Sequence, residues 1–226
     1  APGGSNQAVS IDFTTGGLDQ VNVNGLVKTK GQGGVSLNAP TFVNPNGSSI
    51  TISSSGDITT TSGNVHVTAY NLTSSGDITT ASGNISFGSA LNLSGNIAIN
   101  STTGNLSMGI VTANGKNLTI NQGSGTVALA NVVNITTGNL MITTSTTIQL
   151  QNTVAAGDIT LNAGGDISVS NTVTAASVNA KSTAGDVIFA NTVTTTGVGG
   201  FTSEATAAAK ATQIANLVDV QNGANA

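Results

Sequence analysis

The titratable groups of this chain are one histidine, nine acidic residues and five lysines, with no arginine and no cysteine. Three candidate pairs share one spacing: His66 and Ser86, Asp57 and Asp77, and Asp166 and Asp186 each lie 20 residues apart. A serine beside a histidine is the start of a nucleophile and its base, but the chemistry also needs an acid to orient the imidazole and donors for the oxyanion. Neither is visible beside His66, which reads as a surface histidine. Paired carboxylates can divide acid and base work on a glycosidic bond or share a cation. With only these two pairs, the plainer reading is solvated corner residues. Gly164-Gly165-Asp166 shares part of the calcium-binding nonapeptide but lacks its third glycine and its spacing. The sequence therefore assigns no catalytic residue, no metal ligand and no cofactor, and the expectation is a protein that is not an enzyme.

The shared spacing is itself the main signal, because it belongs to a repeat that must position every one of these residues. The segment Ser54-Ser55-Gly56-Asp57-Ile58-Thr59-Thr60-Thr61-Ser62-Gly63-Asn64-Val65 recurs 20 residues on as Ser74 to Ile85 with two conservative changes. Pairs of apolar residues two apart then run along the chain at Val65/Val67, Ile85/Phe87, Leu106/Met108, Val127/Leu129, Ile148/Leu150, Ile167/Val169 and Val187/Phe189. A second series passes through Leu37, Ile58, Ile78, Ile97, Leu118, Leu140, Ile159 and Val178. The third takes in Ile50/Ile52, Tyr70/Leu72, Leu91/Leu93, Val111, Val133, Val154, Val173 and Val193. Apolar spacing of two, abundant β-branched residues and frequent glycine exclude helix and predict short strands with alternate side chains inward.

Three strands per turn of about 20 residues make a triangular parallel β-solenoid, with glycine, asparagine, aspartate and serine at its corners. The spacing predicts a segment 1–34 with one irregular first turn (Val9/Ile11/Phe13, Val21/Val23, Leu26/Val27), then about eight turns over 35–200. At 201–226 the pattern changes, and Ser203, Glu204, the alanine run, Lys210, Ala211, Ile214 and Val218 predict a short amphipathic helix that either covers the last turn or contacts another subunit.

Outward positions fall into columns. One is expected to read Asp57, Asp77, Asn96, Asn117, Asn139, Asp158, Ser177, and another Asn64, Asn84, Asn105, Thr126, Thr147, Asp166, Asp186, with stacked amides bonding along them. Thr59, Thr79, Thr119 and Thr160 are expected on one face, the pattern of an ice-binding surface, though Ala98, Met141 and Asn179 interrupt it. Eight Asn-x-Ser/Thr triplets occur, a by-product of corner-then-strand composition that also allows surface glycosylation.

Only 6% of residues are charged, against about 25% in an ordinary soluble domain, and the net charge is −4. Five lysines cannot neutralise a phosphate backbone, so nucleic acid is not an expected partner. No apolar run is long enough for a membrane-spanning helix. The opening Ala-Pro-Gly-Gly-Ser is what a signal cleavage leaves behind, and an excerpt of a longer chain would look the same.

The repeat style over residues 35 to 195, as in Ala156-Gly157-Asp158-Ile159-Thr160-Leu161-Asn162-Ala163-Gly164-Gly165-Asp166-Ile167-Ser168-Val169, resembles the filamentous haemagglutinin family of bacterial adhesins. That resemblance implies a right-handed β-helix on a protein exported by two-partner secretion. Asn44-Pro45-Asn46-Gly47 is similar to the motif of that family's secretion domain, and reads equally well as a simple turn. The expectation is a secreted, non-catalytic structural or adhesive solenoid, either a stalk segment of a surface adhesin or a subunit stacking end to end on itself. The alternative is a module that binds or cleaves polysaccharide, such as cell-surface glycans.

Overall fold

The computed structural model describes residues 11–14, 20–39, 49–131, 133–152, 154–208 and 210–221, and within them the chain is an all-β parallel solenoid with no helix. The first face is a sheet of ten parallel strands, from Ile11–Thr14 to Thr212–Ile214. The second and third faces merge into one sheet of 17 strands, because Val173–Ser182 and Val193–Ala205 run unbroken around the corner between them. Ten rungs give nine steps, a rod of roughly 43 Å at ~4.8 Å per step.

On the first face the register follows the repeat: Val65, Ile85, Leu106, Val127, Ile148, Ile167 and Val187 stack in one inward column. Each is almost fully buried. A parallel stack buries a side chain between its equivalents above and below, so Leu, Ile and Val in these columns contribute about 1.5–3 kcal/mol each.

Three assignments change. Leu37 pairs with Val67 on the first face, and it is Val27 that opens the third-face column below Ile58. Leu72 pairs with both Ile50 and Leu91, so Tyr70 lies outside the core and is 47% exposed. Ile78 stacks on Ile99, two residues beyond Ile97. The second and third have one cause, whereas Leu37 lies on a different face from the one its spacing suggests. Alternation fixes which side faces in, but a shift of two residues preserves it, and only the corners decide.

The first turn is present as Ile11–Thr14, Gln20–Val23 and Val27–Lys28, while Val9 and Asn44 to Gly47 lie outside the described residues. The C-terminal helix is not formed. Ser203 and Glu204 end a long strand, Thr212–Ile214 pairs with Val187–Phe189, and Val218–Val220 pairs with Val193–Thr195. Of the apolar positions that suggested a helix, Ile214 and Val218 continue the inward columns of Phe189 and Val193, and this stacking overrides the weak helix propensity of the alanine run. Phe201 instead packs edge-on against Phe189, ring centroids 5.3 Å apart.

Candidate functional site

The corners account for most of the polar residues. Between the third and first faces, Asn84 N–H donates to Asn64 Oδ1 at 2.9 Å, Asn105 N–H to Asn84 Oδ1 at 2.8 Å, and Thr126 N–H to Asn105 Oδ1 at 2.9 Å. Asp186 N–H does the same to Asp166 Oδ1 at 2.8 Å, and Ala211 N–H to Asp186 Oδ1 at 2.9 Å. In each case the next rung's backbone N–H donates to a side-chain oxygen, rather than one side-chain amide to another. Only an acceptor is needed, which is why aspartate and asparagine alternate freely in these columns.

The other corner column uses the same device, but it is two columns. Asp57 Oδ1 accepts from Asp77 N–H at 2.9 Å and Asp77 Oδ1 from Ala98 N–H at 2.7 Å, while a separate series runs from Asn96 through Asn117 and Asn139 to Asp158, each step 2.9 Å. Ser177 Oγ closes it on Asp158 Oδ1 at 2.6 Å. The paired carboxylates are thus ladder acceptors. A side-chain amide ladder does exist elsewhere, with Asn121 Nδ2 donating to Asn100 Oδ1 at 2.9 Å and Asn216 Nδ2 to Asn191 Oδ1 at 3.2 Å.

A buried hydroxyl row also lies inside the third-face corner. Thr60 donates to Gly63 carbonyl at 2.7 Å, Thr144 to Gly125 carbonyl at 3.1 Å and Ser182 to Gly165 carbonyl at 2.7 Å, while Gln122 reaches the Gly104 carbonyl. These glycines stack so closely that a Cβ on Gly104 would overlap the carbonyl of Gly83, and one on Gly125 that of Gly104. The row satisfies carbonyls that turn inward at the corner. Its sequence signal was parity: Thr60 lies two residues past inward Ile58.

His66 is exposed and held between two hydroxyls, Nδ1 to Ser86 Oγ at 2.7 Å and Nε2 to Thr68 Oγ1 at 3.0 Å. An acid does fall in its column, contrary to the sequence reading: Asp12 pairs with Ser36, and Ser36 with His66. Two rungs, about 9.6 Å, separate that carboxylate from the imidazole, beyond hydrogen-bond reach. Among the described residues no cluster of three or more His, Cys, Asp or Glu could hold a metal ion.

A concave groove runs along the third face. One stretch of 640 Å³ is lined by Lys28, Thr59, Thr79, Asn100, Asn121 and Thr143, and a second of 460 Å³ continues it past Asn162 to Lys181. These residues form one register column. Thr119 and Thr160 belong to a neighbouring column with Ala98 and Met141, so the four threonines do not make one row.

An unbroken parallel stack with satisfied corners and a shallow groove along one face defines a β-helix repeat protein. Residues 77–196 match the family model described as Toastrack DUF4097, more than half of the chain, and the chain belongs to that family. No curated protein and no solved structure matches it. No helix among the described residues is long and apolar enough to cross a membrane.

Proposed function

We propose that this chain is a non-catalytic structural and adhesive rod displayed outside the cell, as a stalk segment or filament subunit of the kind the filamentous haemagglutinin resemblance implies. The observation that carries this reading is what the acids do: Asp57, Asp77, Asp166 and Asp186 each bind the backbone of the next rung. Carboxylates so engaged maintain the stack. A rod of this kind holds its shape by repetition, each rung contacting only its neighbours.

The test is a polysaccharide degradation assay on the intact chain and on Asp57→Ala and Asp166→Ala. The expected outcome is no release of reducing ends by any of the three, with both variants less stable than the parent. Release by the parent that either substitution abolishes would overturn the reading. Immunogold labelling of intact host cells tests display, and label confined to the cell interior would refute it.

A second reading, binding of an extended polysaccharide, is favoured by the third-face groove. Its lining is uncharged except at its lysine ends and exposes mainly the methyl and methylene carbons of threonine, asparagine and alanine beside their polar tips, which suits the carbon faces of an uncharged sugar polymer. Two rungs span about 9.6 Å, close to one disaccharide of an extended chain. A glycan panel tests it, with Asn121→Ala expected to weaken any ligand that the parent retains.

A further inference from the structure

Two columns run along the third-face groove. The central one carries Thr79, Asn100, Asn121, Thr143 and Asn162 on successive rungs, and a rim column stands two residues further along the chain. On the rim the side chains alternate in size. Thr61, Thr102, Ser145 and Thr183 each carry a hydroxyl, while Ala81, Gly123 and Gly164, each lying between two of them, leave a gap. The corner ladders and inward columns repeat at every rung, whereas this edge repeats at every second rung, about 9.6 Å. The alternation stops with the groove, since the next rim residue above Thr183 is Thr206.

An extended β-1,4-linked sugar chain laid along the groove meets one rung per sugar, because two rungs match one disaccharide. Successive sugars in such a chain are turned over, so one edge presents the same substituent at every second unit. The rim gaps have that spacing. Beside two of the three gaps the central column places a carboxamide, Asn121 next to Gly123 and Asn162 next to Gly164. Asn121 gives its Nδ2 to Asn100 Oδ1 at 2.9 Å, which leaves its own Oδ1 to accept. A small gap beside a carboxamide suits an acetamido group, whose methyl fills the gap while its N–H meets the carboxamide oxygen. No charged side chain lines the groove between Lys28 and Lys181, so the complementary polymer is uncharged.

We propose that the groove binds a β-1,4-linked polymer of 2-acetamido sugars along the rod axis, one sugar per rung, with an acetamido group in each gap at Ala81, Gly123 and Gly164. Gly123 and Gly164 are also kept small by the stack, since a Cβ on either would overlap the carbonyl of the rung below. Ala81 is exposed and already carries a Cβ, so its gap can be filled without disturbing the stack.

This inference rests on the polysaccharide-binding reading. Calorimetry with the β-1,4-linked hexamer of N-acetylglucosamine tests it, alongside the glucose hexamer of the same linkage. The acetylated hexamer is expected to bind, and the glucose hexamer about tenfold more weakly or worse, because it leaves the gaps and their amides unfilled. Ala81→Leu overpacks one gap and is expected to weaken binding of the acetylated hexamer about tenfold. Asn162→Ala removes one hydrogen-bonding partner and is expected to weaken it about fivefold. Both variants are expected to keep the parent's Tm, and Ser107→Ala on the first face is expected to leave binding unchanged. Equal affinity for the two hexamers would overturn the proposal, as would binding that neither groove substitution alters. Failure to bind the acetylated hexamer also overturns it. In each case the glycan panel separates the two ideas: a glycan that is retained and then weakened by Ala81→Leu rejects the acetamido sites and leaves the polysaccharide-binding reading, whereas a panel with no ligand rejects both.

Discussion

Asn105 distinguishes the two kinds of ladder by experiment. Its Oδ1 accepts the Thr126 N–H at 2.9 Å, and its own N–H donates to Asn84 Oδ1 at 2.8 Å. Asn105→Ala removes the first bond and leaves the second, since the second uses the backbone. The Leu106 N–H bond to Thr126 carbonyl, 3.0 Å, also survives. One intramolecular hydrogen bond is worth a net ~1 kcal/mol, and because this corner is exposed the freed N–H regains water, so the lower half of that range applies.

A loss of about 0.5–1 kcal/mol is expected, seen as a fall of a few degrees at most in Tm and a several-fold faster exchange of the Thr126 amide. Asn105→Asp keeps the acceptor and is expected to stay within about 0.5 kcal/mol of the parent, with Thr126 still protected. Replacing Asn64, Asn84 and Asn105 together by alanine breaks three successive rungs of the column and should cost about 2–3 kcal/mol. If Asn105→Asp proved as damaging as Asn105→Ala, the amide nitrogen would be the group that matters and the acceptor ladder would be refuted.

Other substitutions probe the interior. Leu106→Asp buries an unpaired charge in the first-face column and should cost several kcal/mol in urea unfolding, while Ser107→Ala on the exposed side should be nearly silent. Thr195 is fully buried and its hydroxyl has no partner, so Thr195→Val, which removes the unsatisfied group at nearly constant volume, should raise stability by about 1 kcal/mol; a loss would mean the hydroxyl is bonded. Gly125 has φ +131 and no room for a side chain above Gly104, so Gly125→Ala should cost at least ~2 kcal/mol in the same assay and abolish amide protection at that corner first.

The period and the parity of the fold were legible in the chain, because a solenoid rung writes the same inward pattern every 20 residues or so. Register was less so. Ile97 and Ile99 are both inward, as are Leu91 and Leu93, and a shift of two keeps the inward parity. What decides between them is the corner backbone, where Asp77 bonds Ala98 N–H rather than Asn96 N–H. That bond has no signature in composition. The mistaken helix within 201–226 has a different cause, since alanine, lysine and glutamate carry helix propensity wherever they fall, while the pairing that captures Thr212–Ile214 lies 25 residues back at Val187–Phe189. The buried hydroxyl row was readable from parity alone, yet threonine in an outward-looking polar run disguised it.

The low charge of this chain and the location of its charged residues follow from one physical requirement. An identical rung sits about 4.8 Å above each side chain, so any ionised group repeated along a column meets its own kind. Asparagine and threonine avoid that, and aspartate is tolerated at the corners where its oxygen is engaged by a backbone N–H, as at Asp57 and Asp166. A lysine or glutamate on a flat face has no such partner in mid-rod. Among the described residues of the third-face strands such residues occur only at Lys28 and at Lys181 and Glu204, which sit on adjacent rungs and pair with each other. Interior rungs are satisfied from both sides and need nothing more. The Lys181–Glu204 pair obeys the same rule, since opposite charges on adjacent rungs satisfy each other where a repeated charge would be repelled.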